Sequence, residues 1–223
     1  MSADSVFNDS VFVDFLQKVR LIWITPNAQE LIAYCARVSS NNQENPNIKG
    51  LLKYCARHGH WSVFEQGNMC IEINTTRAIS AQILRHRSFS FQELSQRYAV
   101  IEQDLEIPQL RRQDFKNRQN SINDLDKEMV DTIQEEIVEH FKKTKDLYKK
   151  ILNLGVAKEC ARSILPMNSP TKMYMNGNIR SFVHYLKVRC DPSTQLEHRL
   201  IALEIKEIFK KELPIIYESV FSY

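Results

Sequence analysis

A long amphipathic segment in the middle of the chain constrains the fold more than any other sequence feature. Between Ile122 and Leu154 the apolar residues recur at steps of three, four or seven, which is the spacing of one face of a helix, and the opposite face is charged. The sequence therefore predicts a helix over 122–154. Packing within the domain or in an oligomer explains its apolar face, and an interaction scaffold is the alternative.

Shorter helices and a few strands are predicted around this segment. Asn27 is a suitable cap for one helix, Pro46 suits the first turn of the next, and the Thr75-Thr76 pair can cap a third. By periodicity, helices are predicted over 27–38, 46–59, 77–84, 156–165, 178–189 and 193–213. Strands are predicted over 11–25, ending at Pro26, and over 69–74 and 172–175.

The balance of these elements indicates the fold class. Two or three strands among many helices, without regular strand–helix alternation, favour an α+β fold over a doubly wound sheet. With only five glycines the chain has no Gly-rich phosphate loop of the Rossmann type. We expect one domain over residues 1–223, a mainly helical domain around a small antiparallel or mixed sheet, with the long amphipathic helix added to it.

Composition argues against several classes of protein. The apolar runs are too short to cross a bilayer, and the N-terminus lacks a secretory pattern, so we expect a soluble, cytoplasmic protein without a membrane partner. Five widely spaced cysteines indicate free thiols. A net charge of +3 does not by itself indicate a nucleic-acid partner. His58 and His60 lack a third ligand at a suitable spacing, so no metal site is predicted.

One segment is unusually rich in anion-binding groups. The fourteen residues from Arg85 to Tyr98 include three arginines, a histidine, a carboxylate and three serines. Guanidinium forks and hydroxyls match phosphate oxygens, so a phosphate ester is the expected ligand. Consecutive helical residues point about 100° apart, so the triplet Arg85-His86-Arg87 can face one small ligand only if the chain leaves the helix there. A surface cluster of arginines paired with Glu93 is the alternative.

The full pattern resembles a known family. Arg85-His86-Arg87, followed after seven residues by Ser95 and then by Arg97, is similar to the signature of flavin-dependent thymidylate synthases. Other stretches between residues 36 and 198 share the resemblance, namely Ala36-Arg37-Val38-Ser39, 58–65, 161–166, 178–181 with His184 and Arg189, and Asp191 with Gln195 and Glu197. Val63, Gln66, Gln92 and Thr194 depart from the commoner family pattern, and we expect altered contacts there rather than lost binding.

The resemblance implies two sets of site residues. The FAD-binding set is Ser39, Ser62, Arg85, His86, Arg87, Glu93, Asn178, Arg180 and His184. The dUMP-binding set is Gln82, Arg85, Glu93, Leu94, Ser95, Gln96, Arg97, Arg162 and Arg189. Within the second set, Ser95, Gln96 and Arg97 are expected nearest the phosphate.

The resemblance also implies the reaction. It predicts methylation of dUMP to dTMP, with 5,10-methylenetetrahydrofolate as the carbon donor and NADPH as the reductant, through FAD. Arg189 would be the catalytic residue, favouring the N3-ionised uracil, because a fixed guanidinium lowers the pKa of a neighbouring nitrogen acid. Arg180 and Arg189 lie nine residues apart, on opposite sides of an ideal helix, which suggests sites shared between protomers. The family resemblance implies a homotetramer.

Rival interpretations remain open from the sequence. Cys190 or Ser95 could be a nucleophile, although Ser95 has no evident base and lone cysteines are more often packing residues. A nucleic-acid module is a different class of function, and it would use the arginines of the signature with aromatic residues as stacking partners. Its candidate groups are Arg85, Arg87, Arg97, Phe89, Phe91, Tyr98 and the basic run over 142–150.

Overall fold

A four-stranded antiparallel sheet lies between helices in this computed structural model, which describes residues 18–222. The strands are β1 (Val19–Ile24), β2 (Asn68–Thr76), β3 (Ser90–Glu93) and β6 (Pro170–Asn178), and β4 (Arg112–Gln113) and β5 (Ser121–Ile122) form a separate small hairpin. The helices are α1 (Ala28–Ala36), α2 (Ile48–Arg57), α3 (Arg77–Ile83), α4 (Lys127–Asn153), α5 (Lys158–Ala161), α6 (Ile179–Arg189), α7 (Leu196–Glu212) and α8 (Pro214–Phe221). Short 3₁₀ turns occupy Trp61–Glu65 and Arg162–Ile164. The predicted α+β class with a small sheet is confirmed.

The strand order is β1-β2-β6-β3, so β3, which lies within the signature segment 85–97, is at one edge of the sheet. β2 and β6 pair along their whole length, from Asn68 opposite Asn178 to Thr76 opposite Pro170. β3 adds to β6 through four residue pairs. Because α3 directly follows β2 and α6 directly follows β6, both helices begin at ends of the two central strands.

Both faces of β2 are covered. Ile71 and Ile73 are fully buried on the core side, as their alternation predicts. Glu72 points to the other face and is also buried, because Arg20 and Tyr174 donate hydrogen bonds to its carboxylate at 3.1 and 2.9 Å. The alternation of apolar and polar residues over 69–74 is typical of a half-buried strand, but β2 is buried on both faces.

Local start signals locate the beginnings of α1, α2 and α3, but only one of the three signals acts as predicted. Thr76 caps α3, its hydroxyl oxygen accepting from the Ile79 N–H at 3.4 Å, as predicted. Asn27 precedes α1 in a left-handed conformation with φ 49°, but its side chain makes no capping bond. Pro46 lies just before α2 rather than in its first turn, and Asn47 accepts from Gly50 instead.

Several boundaries differ from the predictions because pairing with distant residues decides them. The helix predicted over 122–154 starts at Lys127, since Ile122 pairs with Arg112 in the β4–β5 hairpin and Asp126 caps the helix. The single helix predicted over 156–165 is the short α5 followed by a 3₁₀ turn. β6 is longer than the predicted 172–175, α7 starts later than Ser193, and β3, β4, β5 and α8 were not predicted. Of the strand predicted over 11–25, residues 11–17 lie outside the described residues.

Two apolar clusters stabilise the fold of residues 18–222. The main one joins α1, α2, α6, α7 and α8 to one face of the sheet, and Phe182, Tyr185 and Phe209 are fully buried in it. The smaller one, around Ile101, Tyr148 and Ala161, attaches α4 and α5 to the chain that follows β3. None of the helices within residues 18–222 is both long and apolar enough to cross a bilayer.

Gln29 joins the first and last helices. It is buried, and its side-chain oxygen accepts from the backbone N–H groups of Ile215 at 2.8 Å and Ile216 at 3.1 Å, at the N-terminus of α8. We expect Gln29→Leu to lower the free energy of unfolding by about 1–2 kcal/mol, because one buried and one part-buried N–H group lose their acceptor. Chemical denaturation measures this loss. Gln29→Glu keeps the acceptor and should lose less; equal losses in both variants would contradict the capping role.

Candidate active site

The helix ends immediately before the signature triplet. α3 stops at Ile83, Leu84 is its C-cap, and β3 starts at Ser90. Arg85, His86 and Arg87 therefore lie on a turn between a helix and a strand. Because these residues are not helical, their side chains need not point about 100° apart, and all three can face one ligand.

Phe89 holds this turn against the core. Its buried ring packs edge-to-face on Phe182, with ring centroids 4.9 Å apart, and lies 6.0 Å from the ring of Tyr185. The ring also lies directly over Gly177 of β6, where an added Cβ would come within 2.4 Å of the Phe89 Cδ1. Only a residue without a side chain fits at position 177 while Phe89 keeps this place.

His86 and Arg189 are in direct contact, although 103 residues separate them. Arg189 lies at the C-terminal end of α6, and its Nε donates to His86 Nε2 at 2.8 Å. Burial, then the neighbouring charges of Arg189 and His184, lower the pKa of His86 to about 4. The imidazole is therefore neutral at physiological pH, and its Nε2 remains an acceptor that fixes the guanidinium of Arg189.

Three guanidinium groups of the predicted site are unengaged. Within residues 18–222, the side chains of Arg85, Arg87 and Arg162 make no hydrogen bond or ion pair. The acidic partner suggested by the sequence, Glu93, instead pairs with Arg77 at 2.6 Å and accepts from the Thr171 hydroxyl at 3.0 Å. The surface-cluster alternative is thus wrong about Glu93, and these cations remain available to an anion.

The loop after β3 carries a second group of predicted substrate-binding residues. Arg97 pairs with Glu159 of α5 at 3.1 Å and lines a cleft of about 530 Å³, and the Ser95 hydroxyl oxygen accepts from the Arg97 N–H at 3.3 Å. Gln96 is buried, and its Nε2 has no hydrogen-bond partner within residues 18–222. Arg162 starts the 3₁₀ turn directly after α5. In the described part of the chain, no hydrogen bond or ion pair joins this loop to the His86–Arg189 pair.

The remaining candidates for FAD lie mainly around α6. Arg180 and His184 are exposed one helical turn apart, and Arg180 pairs with Glu65 of the 3₁₀ turn that also carries the exposed Ser62. Asn178 caps α6 by accepting from the Ser181 N–H at 2.9 Å. Ser39 is exposed beyond the end of α1, and no hydrogen bond joins it to the others in residues 18–222.

Gln82 is the first of a series of hydrogen-bonded side chains, and the other members were not predicted from the sequence. Its side-chain oxygen lies 3.3 Å from His198 Nδ1, and the other nitrogen of His198 lies 3.1 Å from the Tyr185 hydroxyl. His198 is fully buried, and burial, then the charges of Arg189 and His86, lower its pKa to about 3. Within the sequence His198 is one polar residue in an amphipathic helix, and no motif marks it.

The sequence of this chain is similar to those of known proteins along most of its length. Residues 20–215 match the family model described as thymidylate synthase complementing protein. A flavin-dependent thymidylate synthase of Synechocystis is 55% identical over 186 residues, which cover 83% of this chain and 86% of that protein. The chain belongs to the flavin-dependent thymidylate synthase family. A probable flavin-dependent thymidylate synthase of Paramecium bursaria Chlorella virus 1 is 49% identical and covers 86% of this chain and 90% of its own length.

A solved structure shows the same fold as this member of the flavin-dependent thymidylate synthase family. It is the UMP/dUMP methylase PolB from Streptomyces cacaoi bound with 5-Br dUMP, with a TM-score of 0.83. The alignment covers 92% of this chain and 94% of the other, at 22% sequence identity. At this identity the likeness supports the architecture alone.

The rival interpretations lose support in this family member. Phe89 is packed in the core and unavailable to stack on a base. Burial raises the pKa of the Cys190 thiol, which argues against a reactive thiolate.

Proposed function

We infer that this chain is a flavin-dependent thymidylate synthase that methylates dUMP to dTMP. The observation that carries the inference is the contact between His86 of the signature and Arg189 at the end of α6. It joins the anion-binding turn to the one arginine that the family resemblance makes catalytic. The family membership of the chain supports the same reaction.

Arg189 is proposed to activate the uracil ring. His86 occupies its Nε, so both terminal Nη groups are free of partners within residues 18–222 and can face a ligand. A guanidinium beside N3 stabilises the ionised ring and lowers the pKa of that nitrogen, which increases electron density at C5. The protein then needs no nucleophile of its own to make C5 reactive.

The phosphate of dUMP is proposed to bind the loop that follows β3. Ser95, Gln96 and Arg97 present a hydroxyl, an unpartnered buried amide N–H and a guanidinium, all of which donate to phosphate oxygens. Arg85 and Arg162 would add two unengaged guanidinium groups. Gln82, whose side-chain oxygen lies 3.3 Å from His198 Nδ1, completes the proposed substrate set together with Glu93 and Leu94.

The flavin is proposed to be FAD, bound by the exposed groups around α6 and the signature turn. Arg85, Arg87 and Arg180 carry guanidinium groups of the kind that bind a pyrophosphate, and Ser62, Asn178 and His184 offer hydrogen-bonding groups. Ser39, His86 and Glu93 complete the proposed set. When bound, FAD would supply the hydride that reduces the transferred carbon to a methyl group, with NADPH as the reductant and 5,10-methylenetetrahydrofolate as the carbon source.

The side chains of Arg180 and Arg189 contact different parts of the protein. Arg180 pairs with Glu65 while Arg189 contacts His86, as expected for two residues on opposite sides of α6. We propose that the chain forms a homotetramer in the cytoplasm, with active sites between protomers, so that the loop at 94–97 and the His86–Arg189 pair meet across an interface. Light scattering of the purified protein would measure the assembly.

One experiment tests the proposed function. The purified protein should show flavin absorbance and should form dTMP from dUMP, methylenetetrahydrofolate and NADPH, but none when NADPH is left out. A colourless protein whose affinity for nucleic acid falls steeply with salt would instead favour the nucleic-acid module.

Cys190→Ala is expected to keep turnover close to that of the unchanged protein. Cys190 is half-buried, and burial raises the pKa of its thiol, so it is a packing residue rather than a nucleophile. Steady-state dTMP formation measures the effect, with melting temperature recorded to detect a packing loss. Complete inactivation of a stably folded, flavin-loaded Cys190→Ala protein would restore the cysteine-dependent alternative.

A further inference from the structure

A chain of side-chain hydrogen bonds connects the start of α7 to Gln82. The Glu197 carboxylate accepts from Gln195 Nε2 at 2.9 Å, and the Gln195 oxygen accepts from Gln82 Nε2 at 2.6 Å. The Gln82 oxygen lies 3.3 Å from His198 Nδ1, and His198 Nε2 lies 3.1 Å from the Tyr185 hydroxyl. Three consecutive contacts thus join a partly exposed carboxylate to a fully buried histidine, and a fourth continues to the Tyr185 hydroxyl.

The carboxylate fixes the direction of every bond in this chain. Arg111 donates two hydrogen bonds to Glu197, at 2.7 and 3.1 Å. Burial would raise the pKa of Glu197, but the hydrogen bonds of Arg111, of its own backbone N–H and of Gln195 hold that pKa below its ordinary value. An ionised carboxylate only accepts, so Gln195 must turn its NH₂ toward Glu197 and its oxygen toward Gln82.

The orientation of Gln82 in turn determines that of His198. Gln82 donates its NH₂ to Gln195 and therefore presents its oxygen to His198. His198, being neutral, must carry its proton on Nδ1 and accept from the Tyr185 hydroxyl on Nε2. Amide and imidazole orientations that are ambiguous in isolation are thus set by a single charge three contacts away.

We propose that Glu197 is a positioning residue for the substrate: through Gln195 it sets which end of the Gln82 amide faces the pyrimidine nucleotide. The proposal rests on the proposed function, in which Gln82 contacts dUMP. With its direction fixed, Gln82 keeps one N–H and one oxygen lone pair at known places for the ligand. A reversed amide would present a donor where the nucleotide requires an acceptor.

Glu197→Gln tests the direction of the chain. Arg111 would hold the new amide oxygen, so the new NH₂ would face Gln195 and every bond up to Tyr185 would reverse. Nitrogen NMR of histidine-labelled, flavin-loaded protein, with His198→Gln used for assignment, should show the His198 proton on Nδ1 in the unchanged protein and on Nε2 in the variant. A merely structural ion pair would not move this proton.

The functional readout is the binding of dUMP. In Glu197→Gln we expect the Kd and KM for dUMP to rise about tenfold, the effect of one misdirected hydrogen bond, while kcat stays within about twofold. Asp124→Asn is the matched control, because Asp124 is also held by two bonds from one arginine, Arg112, but touches none of this chain. It should leave both the His198 proton and the dUMP affinity unchanged.

Failure of this inference differs from failure of the proposed function. An unmoved His198 proton in Glu197→Gln, or a moved proton with unchanged dUMP affinity, would overturn the positioning role while the unchanged enzyme still forms dTMP. Absence of dUMP binding and of dTMP formation in the unchanged protein would instead remove the proposed function. Gln195→Leu breaks the same chain at its middle and should reproduce the loss of dUMP affinity; normal affinity there would also contradict the role.

Discussion

Arg189→Ala is expected to slow dTMP formation by about a hundredfold to a thousandfold, which is the usual cost of removing one preorganised charge from a reacting centre. His86 fixes the guanidinium of Arg189 through its Nε, and the alanine side chain places no charge at that position. The fall should be in kcat at saturating dUMP, since the group acts on ionisation of the ring rather than on the phosphate. Steady-state assays measure it.

Two further variants make the Arg189 result specific. Arg189→Lys keeps a charge but lacks the planar fork, so intermediate activity is expected. Arg118→Ala removes an exposed arginine from a surface turn and should leave turnover unchanged. Flavin content and melting temperature must match across the set. Normal turnover in a folded, flavin-loaded Arg189→Ala protein would remove Arg189 from the mechanism.

Gly177→Ala should destabilise the protein by about 2–3 kcal/mol and deplete it of flavin, as expected for an overpacked core. The added Cβ would lie 2.4 Å from Cδ1 and 2.8 Å from Cε1 of Phe89, so the ring must leave its place. Because Phe89 holds the turn that carries Arg85 to Arg87, its displacement moves the proposed cofactor groups. Denaturant unfolding and the ratio of flavin to protein absorbance measure the two effects.

Gly50→Ala provides the matched glycine control. Gly50 lies inside α2, where an added Cβ meets nothing closer than 3.7 Å, so alanine should stabilise the helix by about 0.5–1 kcal/mol. Adding Phe89→Leu to Gly177→Ala should recover part of the stability, because a smaller side chain vacates the contact. If Gly177→Ala alone kept full stability and flavin content, Phe89 would not anchor the signature turn.

The fold was predictable where a segment's own residues decide its structure. α1, α2, α3, α6 and α7 followed from apolar periodicity and start signals, since each buries one face. β3 was missed because four residues, Ser90 to Glu93, become a strand only by pairing with β6. α8 was missed because Pro214 both ends one helix and begins the next.

The candidate site was predictable as a list of residues but not as an arrangement. The spacing of the signature pointed to an anion, and the resemblance supplied a role for Arg189. Nothing in the sequence indicates that Arg189 touches His86, or that Glu197 directs Gln82, because these partners lie about a hundred residues apart. Such contacts depend on how β6 places α6 and α7 beside the end of α3.

The bond from Gln29 to the N-terminus of α8 affects the order in which the polypeptide can mature. α8 packs against α2, and its residues Ile216 and Val220 are buried in the main core. During synthesis on the ribosome, the apolar surface of the earlier helices that α8 covers stays exposed until residues 214–221 have emerged. A nascent chain stalled before Pro214 would therefore be a natural substrate for chaperones and proteases.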